Sequence, residues 1–335
     1  MTPSVPRPTV RIPVDHPGAV QVSADRARAL ARECGLPGAL PDHAAVLAGE
    51  LATNIDKHAR DGAIYLQPSP RGNGLDIVAV DRGPGIADIP LSSTDGRTTP
   101  RALGAGLGTV LRTATDVTLR SAPGYGTLVH AWLADPPGEQ HPVTVGGLCL
   151  PATGEEVSGD GYAVSRHDGV WTGLVLDGLG HGPEAATATR RAVRTFRAHP
   201  HLPPAELLTA LHEALRHSRG AAATVVRVHP GYVEHCGIGN IRVVMCSREG
   251  IAQQFTGQPG IVGYNMPTPR TQQLEPAATV LVHTDGIDHR WTRDVPPAHL
   301  CLPPTLLAAS LLHSHRRHRD DATALVLGGL PQGRS

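Results

Sequence analysis

The spacing of apolar positions changes along this chain, and it predicts different elements in different places. Apolar residues alternate over 10–14, as in a half-buried strand. Leu47, Leu51 and Ile55 instead recur every fourth residue, which predicts a helix over 42–59. A second helix is expected near 105–114, and short strands are expected over 63–66, 75–80, 116–120 and 127–133. These elements predict a helix layer on a mostly antiparallel sheet.

The second half of the chain carries more strand patterns than helix patterns. Helices are expected over 184–199 and 205–217. Apolar runs typical of strands cover 143–150, 170–176, 223–228, 232–236, 242–246, 279–282 and 323–327. Many strands with few helices predict a helix-flanked β-sandwich, so the whole chain is expected to be of the α+β class.

A short segment rich in proline separates these two regions. The chain has 335 residues, more than one domain usually holds, so two domains are expected. Residues 136–142 contain three prolines and one glycine among polar residues, as in a linker. The sequence therefore predicts a first domain over 1–135, a linker over 136–142 and a second domain over 143–330.

Charge and cysteine usage narrow the class of protein. The formal net charge is +0, which provides no overall attraction for nucleic acid or for an anionic membrane. The five cysteines never form a C-x-x-C pair, which argues against a disulfide framework and against a zinc site. No apolar run approaches the roughly 20 residues of a membrane span. We expect a cytoplasmic protein that is not exported.

The first long helix carries a group of polar residues on one face. Glu50 and Asn54 are four residues apart, and Lys57, the only lysine of the chain, extends this face by one turn. A carboxylate, an amide and an ammonium group could activate a hydroxyl, hold Mg²⁺ and neutralise phosphate. Taken alone, the same residues are more typical of an ordinary exposed helix face than of a site.

Two glycine-rich segments follow this helix. Asp81 ends a strand and is followed by Gly83 and Gly85, so a carboxylate and a flexible turn lie where a nucleotide base could bind. Glycines at 104, 106 and 108 open the next predicted helix, whose free N–H groups suit a polyphosphate. A glycine run of this kind is by itself more often a turn.

The ordered motifs Glu-x-x-x-Asn, Asp-x-Gly-x-Gly, Gly-x-Gly-x-Gly and Gly126-Thr127 resemble the GHKL ATPases, and most closely the anti-sigma-factor serine/threonine kinases of the RsbT and SpoIIAB type. The resemblance implies a Bergerat-type α/β sandwich, with a helix layer on a mixed sheet, that binds ATP with Mg²⁺. It also implies that Glu50 is the general base, that Asp81 binds adenine and that Asn54 coordinates Mg²⁺ beneath a lid over 92–101. The remaining ATP-binding residues would be Lys57, Gly83, Gly85, Gly104, Gly106, Gly108 and Thr127.

Four aspartates in the second region stand at turns next to apolar strands: Asp160, Asp177, Asp285 and Asp320. Strands can bring sequence-distant carboxylates together, and carboxylates that repel one another usually need cations between them. Oxygen ligands without cysteine suit Mg²⁺ or Mn²⁺. Any single Asp-Gly pair among them is also typical of a simple turn.

The second region resembles the SpoIIE-like branch of the metal-dependent type-2C (PPM) phosphatases. The motifs are Ser158-Gly159-Asp160-Gly161-Tyr162, Asp177-Gly178-Leu179-Gly180-His181-Gly182, Gly237-Ile238-Gly239-Asn240, Thr284-Asp285-Gly286-Ile287 and Arg319-Asp320-Asp321-Ala322-Thr323. The resemblance implies that Asp177 bridges two Mn²⁺ or Mg²⁺ ions, that Asp160 and the Gly178 carbonyl complete one ion, and that Asp285 and Asp320 hold the other. Asp321 remains an alternative to Asp320.

Both resemblances imply the same class of partner, namely STAS-domain proteins that antagonise anti-sigma factors. One interpretation is therefore a bifunctional partner-switching enzyme with an active kinase and an active phosphatase, and the resemblance to GHKL kinases allows a homodimer. The alternative is a phosphatase regulated by a non-catalytic GHKL domain that senses nucleotide or binds protein. A purely structural anti-sigma-factor binder would leave the aspartate set unexplained.

Overall fold

The computed structural model describes residues 7–71, 74–86, 104–135, 144–247, 249–293 and 295–328. The chain divides into two compact units, an N-terminal one within 9–142 and a C-terminal one within 143–335. The predicted linker, residues 136–142, lies outside the described residues. Each unit has its own sheets and its own apolar core.

The described part of the N-terminal unit contains five strands and three helices: β1 (Val10–Val14), α1 (Gly18–Glu33), α2 (Leu40–His58), β2 (Gly62–Pro68), β3 (Leu75–Asp81), α3 (Gly104–Thr113), β4 (Asp116–Ala122) and β5 (Gly126–Leu133). The strands form one sheet in the order β1-β2-β3-β5-β4. All four pairings are antiparallel, whereas a mixed sheet was expected. Short connections join β2 to β3 and β4 to β5, and such connections allow only antiparallel pairing.

Helix α2 packs the predicted apolar stripe into the core of this unit. Leu47, Leu51 and Ile55 are at most 2% exposed, and they share one cluster with residues of the sheet. Fully burying each such side chain contributes about 1.5–3 kcal/mol. Helix α1 packs along α2 through small residues, with Ala27 and Ala31 fully buried. The predicted elements did not include α1.

The described part of the C-terminal unit is built mainly from strands. Its elements are β6 (Val145–Leu150), β7 (Gly161–His167), β8 (Val170–Gly178), α4 (Pro183–Ala198), α5 (Pro204–Leu215), β9 (Ala221–Val228), β10 (Val233–Ile238), β11 (Arg242–Ser247), β12 (Gly250–Thr256), β13 (Gln272–Leu274), β14 (Thr279–His283), a 3-10 helix (His289–Arg293), α6 (Pro297–Leu300), α7 (Pro304–His315) and β15 (Ala322–Gly328). They form two five-stranded antiparallel sheets, ordered β13-β10-β9-β8-β7 and β12-β11-β14-β15-β6.

These two sheets stack into a sandwich that has helices outside. Valines and leucines from both sheets form the inner core, including Val175, Val226, Val282 and Leu325. Helices α4 and α5 cover the first sheet, and α7 packs on β6 and β15 of the second. The expected α+β class and helix-flanked β-sandwich are confirmed.

Two further expectations concern the chain as a whole. No helix in the described ranges is both long and apolar enough to cross a bilayer. The five cysteines all lie among the described residues, and none of them forms a disulfide bond.

Candidate functional site

In the N-terminal unit, Asp81 is fixed at the end of β3 by backbone hydrogen bonds. Its Oδ1 accepts hydrogen bonds from the N–H groups of Gly83 at 2.7 Å and Thr127 at 3.2 Å. Burial raises the pKa of Asp81, while these two hydrogen bonds lower it. Its Oδ2 has no hydrogen-bond partner among the described residues. One oxygen is thus held in place, and the other remains to accept a hydrogen bond from a ligand.

The turn after Asp81 is attached to the β4–β5 hairpin. The N–H of Ile86 donates to Ser121 Oγ at 2.8 Å, and this hydroxyl donates to the Gly126 carbonyl at 2.9 Å. Gly85 has φ +75°, and a Cβ there would lie 2.1 Å from the Ala122 carbonyl oxygen. Only glycine fits this close approach, which fixes the turn beside the Asp81 carboxylate.

The polar face of α2 meets the start of α3. A Cβ on Gly106 would lie 2.7 Å from Glu50 Oε2 and 3.3 Å from Asn54 Oδ1. The Asn54 Nδ2 is buried and has no hydrogen-bond partner among the described residues. Since buried polar groups are rarely left unpaired, this amide fits a site that a ligand completes. The residues present therefore fit ATP with Mg²⁺.

The other predicted ATP-binding residues are distributed around this face. Gly104 is the first residue of α3, and Gly108 lies one turn further along. Lys57 is exposed in the last turn of α2. Thr127 Oγ1 lies 3.0 Å from the Ser121 hydroxyl. The predicted lid over 92–101 lies outside the described residues, and the individual roles stay predictions.

In the C-terminal unit, the four predicted aspartates stand at strand ends contributed by both sheets. Asp160 precedes β7, Asp177 lies near the end of β8, Asp285 follows β14, and Asp320 precedes β15. Burial, followed by repulsion from Asp177, raises the pKa of Asp160 well above its usual range. Burial, followed by repulsion from Asp285 and Asp320, also raises the pKa of Asp177. The fold therefore brings the other three carboxylates close enough for their charges to interact with Asp177.

The carboxylate oxygens of these aspartates are of the type that binds divalent cations. Among the described residues, no three carboxylate, imidazole or thiolate groups surround a single point at metal-ligand distance. Mg²⁺ is usually held by only one or two carboxylates and keeps several waters, so such a triad is not required. The pKa of Asp285 is also raised, by burial and by Asp320, although Arg317 and Asn240 oppose this. Negative charge concentrated on carboxylate oxygens fits divalent cations.

Gly178, the fifth predicted ligand, closes β8 next to Asp177. Its N–H donates to the Gly159 carbonyl at 3.2 Å, and a Cβ there would lie 2.7 Å from the same oxygen. Glycine is therefore required for the close approach of these two backbone segments. Whether its carbonyl binds a cation stays a prediction.

Asp320 and Asp321 are adjacent in sequence but differ in their surroundings. Asp321 is 3% exposed, and its two oxygens accept hydrogen bonds from the N–H groups of Ala152 and Gly159, both at 2.7 Å. Asp320 is exposed, and the charges of both residues act on Asp160 and Asp177. The backbone hydrogen bonds give Asp321 a structural role, and the choice of Asp320 as the ligand stays a prediction.

Two residues that were not among the predicted ligands support the aspartates. The Thr284 hydroxyl donates to Asp160 Oδ2 at 2.6 Å, and it accepts the N–H of Thr323 at 2.9 Å. Asn240 Nδ2 donates to Asp285 Oδ2 at 2.9 Å. Both residues lie inside motifs that the sequence already shows. Membership of these motifs was the signal that could have identified them as supporting residues.

Comparison with known proteins connects each unit to a separate group. A family model described as stage II sporulation protein E (SpoIIE) matches residues 167–328. The N-terminal region is similar to the serine/threonine-protein kinase RsbT of Bacillus subtilis (strain 168), with 46% identity over 88 residues. That match covers 25% of this chain and 66% of RsbT, just under two thirds of its length.

Solved structures are similar to about half of the chain. One, from work on the bacterial stressosome as a modular system adapted to control secondary messenger signalling, has 32% identity and a TM-score of 0.50. The match covers 55% of this chain and 97% of that chain. RsbX in complex with magnesium has 21% identity and a TM-score of 0.46, over 54% of this chain and 92% of that one. Residues 167–328 of the C-terminal unit therefore form a SpoIIE-type (PPM) phosphatase domain, and the N-terminal region is similar to the serine/threonine-protein kinase RsbT.

Proposed function

We propose that this chain is a bifunctional partner-switching enzyme of a sigma-factor or stress response. Its C-terminal unit would hydrolyse phosphoserine or phosphothreonine with two Mn²⁺ or Mg²⁺ ions, and its N-terminal unit would phosphorylate serine or threonine with ATP and Mg²⁺. The substrates would be STAS-domain antagonists of anti-sigma factors. The observation that carries this proposal is the set of four aspartates at strand ends of both sheets, where burial and like-charge repulsion raise the pKa values of Asp160, Asp177 and Asp285.

The phosphatase role assigns a task to each group around the aspartates. Divalent cations bound there supply charge neutralisation at phosphoryl oxygens and make water more acidic. Asp177 would be shared by both ions, because its charge interacts both with Asp160 and with Asp285. Thr284 and Asn240 hold the carboxylates of Asp160 and Asp285 in fixed orientations. Such supporting hydrogen bonds orient metal ligands and tune their basicity.

The kinase role rests on the meeting of α2 and α3. Glu50 would accept the proton of the attacking hydroxyl, and Asn54 would hold Mg²⁺ near the phosphates. The absence of a side chain at Gly106 permits backbone to approach both residues. Asp81 would accept a hydrogen bond from adenine through the oxygen that the backbone leaves unused. A domain that only senses nucleotide needs no base, so Glu50 favours catalysis.

Phosphate release from a phosphorylated STAS protein tests the phosphatase. Wild type should release phosphate with Mn²⁺ and not with EDTA, and Asp177→Ala should abolish the release. Glu206→Ala removes an exposed carboxylate on α5 and serves as a matched control with unchanged rate. Equal release by wild type and Asp177→Ala would contradict the assignment.

Transfer of labelled phosphate from ATP to a STAS protein tests the kinase. Glu50→Gln keeps the shape of the side chain but removes its basic oxygen. If Glu50 is the base, this variant binds ATP with unchanged affinity and transfers no phosphate. If the variant transfers phosphate as wild type does, Glu50 is not the base. If wild type transfers no phosphate and the variant alters only the phosphatase rate, the N-terminal unit is instead a regulatory nucleotide sensor.

A further inference from the structure

A cleft of about 510 Å³ lies beside the aspartate cluster of the C-terminal unit. The 3-10 helix, α6 and α7 form its walls, and Trp291 provides a rigid side. The Trp291 side chain is 4% exposed, and its Nε1 donates to His283 Nε2 at 3.3 Å. The charged and titratable residues that line the cleft are Asp288, Arg290, His299, His315, Arg316 and Arg317.

Backbone hydrogen bonds connect this cleft directly to two of the candidate metal ligands. The N–H of Arg317 donates to the Gly286 carbonyl at 2.7 Å, next to Asp285. The N–H of Asp320 donates to the Arg317 carbonyl at 3.1 Å. Arg317 thus connects the wall of the cleft to the backbone beside Asp285 and Asp320, although neither of these aspartates lines the cleft.

The charge of the cleft is positive even though the neighbouring site is negative. Among the described lining residues, three arginines face one aspartate. Asp288 is shared, since Arg290 Nε lies 2.9 Å from its Oδ2 and Arg317 Nη2 lies 4.0 Å from its Oδ1. The side chains of Arg290 and Arg317 are still 68% and 49% exposed. Arg290 and Arg317 together with Asp288 therefore leave one positive charge in excess, and both arginine side chains are accessible to a ligand.

We propose that this cleft binds an acidic segment of the phosphoprotein substrate, next to the residue that is dephosphorylated. The proposal rests on the phosphatase function proposed above and adds its substrate selectivity. A phosphate group is common to all phosphoproteins, so recognition of one partner requires contacts beside it. A basic cleft close to the aspartates would attract an acidic segment and orient the substrate.

Two phosphoserine peptides that differ only in flanking charge test this proposal. One peptide carries four aspartates next to the phosphoserine, and the other carries four asparagines. Wild type with Mn²⁺ should show a KM about tenfold lower for the acidic peptide, as expected of a few exposed ion pairs. The difference should shrink at high salt because exposed charges are screened. p-Nitrophenyl phosphate has no acidic segment, so its hydrolysis measures the chemical step without a contribution from the cleft.

Arg290→Glu should abolish the preference for the acidic peptide, and Arg290→Ala should reduce it, while kcat and p-nitrophenyl phosphate hydrolysis stay unchanged. Arg194→Glu, on the exposed face of α4, makes the same charge change and should keep the preference. Equal KM values for the two peptides in wild type would overturn the proposal, as would a preference that survives in both Arg290 variants.

A direct binding measurement separates this proposal from the proposed function. If wild type with Mn²⁺ hydrolyses none of these substrates, the phosphatase function fails. Fluorescence anisotropy of the labelled acidic peptide then still tests the cleft, because it needs no turnover. Weaker binding to Arg290→Glu than to Arg194→Glu supports the cleft, and equal binding to both overturns it.

Discussion

Substitutions of the adjacent residues Asp320 and Asp321 should affect different properties. Asp321→Ala should lower the stability of the fold, whereas Asp320→Asn should weaken metal binding. Asp321→Ala removes a buried carboxylate that accepts two backbone hydrogen bonds, and it leaves the N–H groups of Ala152 and Gly159 without partners. Each buried donor left unsatisfied costs about 1–3 kcal/mol, so the free energy of unfolding should fall by about 4 kcal/mol. Asp320→Asn removes an exposed negative charge. The Asp320 side chain accepts no hydrogen bond from the described residues. The substitution should change stability by less than about 0.5 kcal/mol.

Urea unfolding in EDTA measures this difference without a contribution from bound metal. Trp171 and Trp291, two of the three tryptophans, lie in the C-terminal unit, so fluorescence reports mainly on that unit. With a slope of about 2 kcal/mol per molar, Asp321→Ala should lower the urea midpoint by about 2 M. Titration calorimetry with Mn²⁺ should then show at least about tenfold weaker binding for Asp320→Asn.

Two results would refute this reasoning. Asp321→Ala with wild-type stability would mean that its hydrogen bonds to the backbone contribute nothing. Asp320→Asn with an equally large loss of stability and unchanged Mn²⁺ affinity would mean that the two roles are exchanged.

Three further outcomes are expected. Burial and like-charge repulsion raise the pKa of Asp177 above 3.8, so the folded protein in EDTA binds more protons than the unfolded chain. The free energy of unfolding in EDTA should therefore fall as the pH rises from 3.8 through the raised pKa of Asp177. The urea midpoint measured at several pH values follows this fall, and saturating Mn²⁺ should remove it. Gly106→Ala, whose Cβ would lie 2.7 Å from the Glu50 carboxylate, should weaken ATP binding at least about tenfold by calorimetry. Gly49→Ala, whose nearest atom is at 3.7 Å, should bind ATP normally. Asn240→Ala should raise the Mn²⁺ dissociation constant about 10–100-fold, and unchanged affinity would exclude its supporting role.

The parts of the fold with a strong local pattern could be predicted from the sequence. The strands that border Asp81, Asp177 and Asp285 are apolar, and their turns are marked by glycine, so each carboxylate could be assigned to a strand end. The apolar stripe on α2 likewise indicated which side of the helix faces the sheet. Glu50 and Asn54 lie beside that stripe, outside the buried side of the helix.

The missed elements lack such a pattern, for physical reasons. Helix α1 buries mainly alanines against α2, and Ala19, Ala27 and Ala31 give no stripe of large apolar residues. Helix α7 is buried continuously from Pro304 to Leu312, so it has no polar face to create a period. The roles of Asp320 and Asp321 could not be separated, because Asp321 is defined by N–H groups 162 and 169 positions earlier in the chain.

The basic cleft bears on how two opposing activities could coexist in one chain. A kinase and a phosphatase acting without control on the same residue would only hydrolyse ATP. The cleft belongs to the C-terminal unit, so an acidic segment would raise the rate of dephosphorylation without changing recognition by the N-terminal unit. Partners with such a segment would then be held mainly in the dephosphorylated form, and partners without it would accumulate as phosphoproteins. Under the proposed function, flanking charge in the partner sets the direction of the switch.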